Sequence, residues 1–258
     1  MTIFQIQKNA LKINKSKYST ALFIPAAAFI STLLLTSAPH LLSLLLNYIN
    51  ISTDEKYKAI AKIAECVILI CSCIFALMLY SSASVGEQAF YTGRMRQKRN
   101  SLKRFFFWFR PEKSFKAFKV KSLIFILKSL WSIVLLLPFT AIASFILSVA
   151  FSGGIEVYLL LSLSCGAVIL LIIGLIFRFI IIQRYFLAEY LIAENPSLEP
   201  LQCILQSKNL LEGHIFRIIK FKLSFLPLFI SCILLLPAIF VYPHYKQSRT
   251  LVAKELLV

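Results

Sequence analysis

Five apolar stretches set the terms on which this chain can fold: residues 21–51, 60–85, 122–151, 157–182 and 223–242. A helix rises about 1.5 Å per residue, so about 20 apolar residues cross the ~30 Å hydrocarbon layer of a bilayer. Every one of the five meets that length. The 258 residues are 59% hydrophobic and 15% charged, whereas soluble domains average about 45–50% apolar and about 25% charged. The expected fold is all-α: a polytopic membrane helix bundle of about five transmembrane helices, forming a single integral membrane domain over residues 1–258.

The longest polar interruption is EQAFYTGRMRQKRNSLKRFFFWFRPEKSFKAFKVKSLIFILK, residues 87–128. From Arg94 to Lys121 it carries eleven cations (Arg94, Arg96, Lys98, Arg99, Lys103, Arg104, Arg110, Lys113, Lys116, Lys119 and Lys121) against one acid, Glu112. Residues 86–121 read as a basic, aromatic cytoplasmic loop, because cytoplasmic loops collect Lys and Arg. Counting Lys and Arg in alternate loops places twenty on the side of the N-terminus and six on the other. That split expects a cytoplasmic N-terminus and a C-terminal tail outside. The tail holds Lys246, Arg249 and Lys254, so a sixth half-span returning it to the cytoplasm also fits.

A formal charge of +17 raises nucleic acid as a partner. Here the cations flank spanning segments, so anionic lipid headgroups are the expected partner and no nucleic acid is. Within KRFFFWFRPEKSFKAF, Phe105, Phe106, Phe107, Trp108 and Phe109 are expected to sink into the headgroup boundary while Arg and Lys hold phosphates. Lys128 and Arg178 are the basic residues nearest the hydrocarbon. Intramembrane charges are functional suspects by default, but both stand close enough to a span end to snorkel.

Motifs for chemistry are lacking. His40, His214 and His244 are scattered, no HExxH, GxGxxG, Walker or GxSxG pattern occurs, and no metal or cofactor is expected. The cysteines (Cys66, Cys71, Cys73, Cys165, Cys203 and Cys232) read as packing residues. Two function classes follow. One is a non-catalytic membrane protein binding anionic lipid or a membrane-protein partner through its basic face. The other is a small transporter or permease component resting on kinked spans with Lys128 and Arg178.

The remaining segments read as connections. Residues 1–18 carry four lysines and lead into a first span too long for a signal-peptide core, bent near Pro25 and Pro39. STDEKYK (52–58) and SGGIE (152–156) are turns, and the third span kinks near Pro138. Residues 195–222 form a cytoplasmic break and a short amphipathic helix, with Leu201, Ile204, Leu205 and Leu211 at helical spacing, Pro200 in its first turn and Gly213 as its cap.

RYFLAEYLIAENPSLEPLQCILQSKNLLEGHIFRIIKFKLSFLP (184–227) resembles the C-terminal signature of uncharacterised Firmicutes integral membrane proteins related to the domain-of-unknown-function 975 family. The matching positions are Tyr185, Ala188, Ala193, Glu194, Asn195, Pro196, Leu198, Gly213, His214, Leu223, Ser224 and Phe225; SLWSIVLLLPF (129–139) is similar to that family's third span. Glu199 departs from the family's Ser or Thr before the short helix, and the region from Pro138 to Arg184 is longer. The resemblance implies a membrane location and a helical fold. It implies no reaction.

Overall fold

Two helices outlast any membrane. In the computed structural model, which describes residues 2–15, 37, 55–95, 101–152, 157–231 and 236–257, α2 (Glu55–Met95) has 41 residues and α4 (Pro111–Ser152) has 42. Each is therefore about 60 Å long, twice the hydrocarbon thickness. The remaining elements are α1 (Ile3–Lys15), α3 (Ser101–Phe107), α5 (Val157–Ile182), a 3-10 turn (Gln183–Tyr185), α6 (Ala188–Glu194), α7 (Pro200–Leu210), α8 (Ile215–Ser224), α9 (Leu226–Ser231) and α10 (Leu236–Leu257). No strand occurs among the described residues. The segments Lys62–Met95, Pro111–Val149 and Leu161–Glu194 are each long and apolar enough to cross a membrane. Apart from Ser37, the expected first span lies outside the described residues, as does most of the SGGIE turn.

Burial divides these helices into two zones. Along α2, apolar residues from Ile63 to Tyr80 face outward, while Ala83, Val85, Ala89, Phe90 and Tyr91 are buried. On α4 the order reverses: Ala117, Val120 and Ile124 are buried, then Phe125, Ile126, Leu130, Ile133 and Leu137 are exposed. α5 is exposed as far as Phe179, and the segment after it is buried from Phe186 to Ala193. The molecule is thus a set of apolar shafts standing on a folded helical base. Lipid tails are as apolar as leucine, so the shafts gain little by hiding apolar faces from them. The hydrophobic effect operates where water is, and it assembles the base.

The base core gathers Val85 and Ala89 of α2, Trp108 of the turn between α3 and α4, Ala117 and Val120 of α4, Phe186 to Ala193, Cys203 and Ile204 of α7, Ile218 of α8 and Ala253 of α10. Above it, α4 and α5 approach closely at Gly174, where a Cβ would stand 3.0 Å from the Leu135 carbonyl oxygen. A residue without a side chain permits that crossing.

The expected fifth span, Leu223–Tyr242, is not a single helix. Among its described residues, helix α8 ends at Ser224 and the six-residue α9 begins at Leu226, so the range is broken at Phe225. α9 lies beside α10, with the rings of Phe225 and Phe229 at 5.3 and 5.0 Å from Tyr245. Ile6 of α1 shares an apolar cluster with Phe221, Phe225 and Val252, and the Gln7 side-chain amide donates to Ser224 Oγ at 3.2 Å. The two chain ends therefore sit together in the base. This corrects the expectation of a tail on the opposite side from the N-terminus and follows the alternative in which the last segment returns.

The short helix α7 packs on α6 and α4 through Cys203, Ile204 and Ser207, while Leu201 and Leu205 face outward. Its start is capped despite the departure at Glu199: the Gln202 side chain accepts from the Glu199 N–H at 3.2 Å. Gly213 has a φ of +81°, the left-handed geometry that glycine adopts without strain.

Candidate functional site

The basic stretch is mostly helical rather than a loop, since α2 runs to Met95, α3 follows, and α4 begins at Pro111. Arg96, Lys98 and Arg99 lie outside the described residues. Two of the expected headgroup contacts are turned inward. Trp108 is 1% exposed, filling the centre of the base core. Arg94 is also buried; its Nη2 donates to the Ile13 carbonyl at 3.2 Å and so ties α2 to α1. Phe105 is buried against α2, where a Cβ on Gly86 would stand 2.8 Å from the Phe105 carbonyl oxygen. Bulky aromatics stabilise a protein core at least as well as a headgroup layer, and composition alone does not separate the two.

What remains on the surface is a graded set of cations. Lys103, Arg110 and Lys119 are exposed; Arg104, Lys113, Lys116 and Lys121 are half-buried. Lys116 donates to the Pro196 carbonyl at 2.7 Å. Arg110 and Lys113 lie over the Phe107 ring at 5.5 and 5.7 Å, and Lys119 lies over Phe115 at 4.7 Å. Phe106 and Phe115 are the outward aromatics here. Height matters, because α4 turns lipid-facing at Phe125. Lys119 stands about 9 Å below that residue and Arg110 about 22 Å, at 1.5 Å per residue.

Beside Lys119, a groove of about 370 Å³ runs between α4 and α7, lined by Phe118, Ser122, Leu123, Ile126, Pro200 and Leu201, with the Glu199 side chain at its edge. It meets the exposed apolar surface of α4 at Phe125 and Ile126. A second cavity, of about 410 Å³, lies deeper in the base between Lys103, Arg104, Trp108 and Glu194.

A network of charges that the sequence does not advertise crosses the top of the base. Lys121 pairs with Glu189 at 2.7 Å, and Ser84 Oγ donates to the same carboxylate at 3.4 Å. Lys246 pairs with Glu87 at 2.7 Å, and the Tyr242 hydroxyl donates to Glu87 at 3.1 Å. Burial opposes the Lys246 charge, but the Glu87 carboxylate outweighs it and holds the ammonium pKa above its ordinary value. Arg178 Nε donates to Ser132 Oγ at 2.7 Å, and Ser132 in turn donates to the Lys128 carbonyl at 2.7 Å. The two intramembrane suspects are thereby brought within one helical turn of each other.

Lys222 donates to Gln183 Oε1 and lies 5.9 Å from the Phe186 ring. Arg249 lies 4.8 Å from that ring and 5.7 Å from Tyr190. Burial, with Arg249 and Lys128 adding positive charge nearby, pushes the Lys222 pKa down to about 8. Glu87, Glu189, Lys222, Lys246 and Arg249 went unsuspected in the sequence. Their one signal is position: each lies near the end of an apolar run, with its partner more than 60 residues away in the two paired cases, Lys121–Glu189 and Glu87–Lys246.

No curated protein and no solved structure matches the chain. A family profile described as "Protein of unknown function (DUF975)" matches residues 5–252, from α1 almost to the end of α10, and the segment 184–227 with its buried Ala188 and Ala193 lies within it. Covering nearly the whole chain, that match makes this membrane protein a member of the DUF975 family.

Proposed function

We propose that the protein is a non-catalytic, multi-pass protein of the cell membrane that binds anionic lipid at the junction of base and shafts, with its base in the cytoplasm. The positive-inside rule supports that orientation. Returning the tail adds Lys246, Arg249 and Lys254 to the side already rich in cations.

The observation that carries the lipid reading is the pairing of Lys119, exposed and over Phe115, with the apolar groove beside it. A phosphate at Lys119 and an acyl chain in the groove occupy adjacent places at headgroup height. The cation is about 9 Å from the lipid-facing surface, comparable with the ~8 Å Debye length at physiological ionic strength. In nanodiscs of mixed phosphatidylglycerol and phosphatidylcholine, the protein is expected to retain phosphatidylglycerol preferentially on extraction, as read by native mass spectrometry. Lys119→Gln with Leu201→Gln should remove the preference. Equal retention of both lipids by the unaltered protein overturns the reading.

A second reading rests on Lys103, Arg104 and Arg110. Lys103 and Arg104 border the deeper cavity, and Arg110 stands about 22 Å below the first lipid-facing residue of α4. A partner with an acidic surface suits them better than lipid.

A further inference from the structure

We propose that Lys222 and Arg249, whose cations share the Phe186 ring, form a binding site for one phosphate group between α8 and α10, with Lys128 of α4 adding positive charge nearby. The argument begins with a charge inventory. The nearby carboxylates, Glu189 and Glu87, are each engaged at 2.7 Å, by Lys121 and Lys246. Among the described residues no carboxylate lies within 4.0 Å of Lys128, Lys222 or Arg249. Glu189 and Glu87 still act on Arg249 through space, and Glu189 on Lys128, but both carboxylates are already paired and none is left over for the three half-buried cations.

Convergence is visible in the ring contacts. Lys222 and Arg249 share the Phe186 ring at 5.9 and 4.8 Å. Lys128 is close enough to lower the ease with which Lys222 stays protonated. Ring faces attract cations without neutralising them, and Gln183, the partner of Lys222, is neutral. The Nε of Arg249 is buried with no hydrogen-bond partner among the described residues. Desolvated cations are costly unless an anion compensates them. A guanidinium offers a phosphate two parallel N–H donors, and the two ammonium groups add point charges. The height suits it as well: Lys128 follows the first lipid-facing residues of α4, and Lys222 precedes exposed Leu226 by one turn. The site is separate from Lys119 and its groove and does not rest on the function proposed above.

The chemistry admits a lipid phosphate or free phosphate, and one experiment distinguishes them. Full-length protein, stripped of lipid in a neutral detergent, is titrated with inorganic phosphate, with dioctanoyl phosphatidic acid and with dioctanoylglycerol. Binding is read by native mass spectrometry and by thermal shift. Saturable one-to-one binding of inorganic phosphate assigns a soluble ligand; binding of phosphatidic acid alone assigns a lipid. In either case Arg249→Gln and Lys222→Gln should each weaken binding tenfold or more, while Lys208→Gln, at an exposed cation of α7, leaves it unchanged. Lys222→Gln alone decides the matter if Arg249→Gln fails to fold. Absence of saturable binding for both phosphates, equal binding of dioctanoylglycerol, or unaltered affinity in Lys222→Gln overturns the proposal.

Discussion

The pair that fastens the C-terminal helix to α2 offers the sharpest energetic test. The Glu87 and Lys246 side chains are 8% and 13% exposed and 2.7 Å apart. Glu87→Met leaves a buried ammonium beside Tyr242, whose ring is 5.1 Å away, with no carboxylate paired to it among the described residues, and removal of one partner of a buried pair costs about 3–5 kcal/mol. Lys246→Met leaves a carboxylate that still accepts from the Tyr242 hydroxyl at 3.1 Å, so its cost should fall at the lower end of that range. Replacing both by methionine removes two desolvated charges together and should be near neutral. At about 2–4 °C per kcal/mol for a chain of this size, each single variant should melt roughly 6–20 °C lower. Thermal unfolding in detergent, run as a double-mutant cycle, measures the coupling. The Lys246 pKa is raised in the fold, so the pair's contribution is complete below about pH 10.4, the unfolded lysine value. It is lost only as pH climbs through the raised value, and the cycle at pH 7.5 reads it in full. Additive single variants, with the double variant as unstable as their sum, would refute the packing of α10 on α2.

Further expectations follow from the same base. Trp108→Ala should cost about 3–5 kcal/mol, because it empties a core site rather than a headgroup contact; a melting temperature equal to that of the unaltered protein contradicts this. Gly86→Ala forces a Cβ to within 2.8 Å of a backbone oxygen and should destabilise by about 1–3 kcal/mol, measured by the same melt. Lys222 titrates at about 8 in the fold and near 10.4 when unfolded. Between these values the unfolded chain binds more protons, so stability should rise with pH across that window. Lys222→Met should flatten the rise, and a slope that persists in the variant excludes Lys222 as its source.

The membrane-seeking part of this fold was legible because it is written locally. Runs such as VYLLLSLSCGAVILLIIGLIF reveal their class without reference to any other part of the chain. The family resemblance at 184–227 was equally local. What could not be read was which charged and aromatic residues would be turned inward. FFFWF next to arginines has the composition of an interfacial anchor, yet Trp108 belongs to a core whose other members come from α2, α4, α6, α7, α8 and α10, and Phe105 to a cluster with Phe90 and Tyr91 of α2. Likewise Glu87 and Lys246 are 159 residues apart, and nothing in either neighbourhood announces the other. The tail misled for a related reason. Leu223–Tyr242 has the length of a span, but its aromatics Phe225 and Phe229 pack back on Tyr245, a tertiary preference that hydropathy does not encode.

The central claim is that both chain ends and the basic stretch form one helical base on one side of the membrane. Cysteine accessibility tests it directly. In a background with the native cysteines replaced, single cysteines at Thr2, Ser101 and Leu257 are treated with a membrane-impermeant maleimide. All three should resist labelling in intact cells and react in inside-out vesicles. Labelling of the Leu257→Cys protein in intact cells, with Ser101→Cys protected, would contradict the account and restore a tail on the outer side.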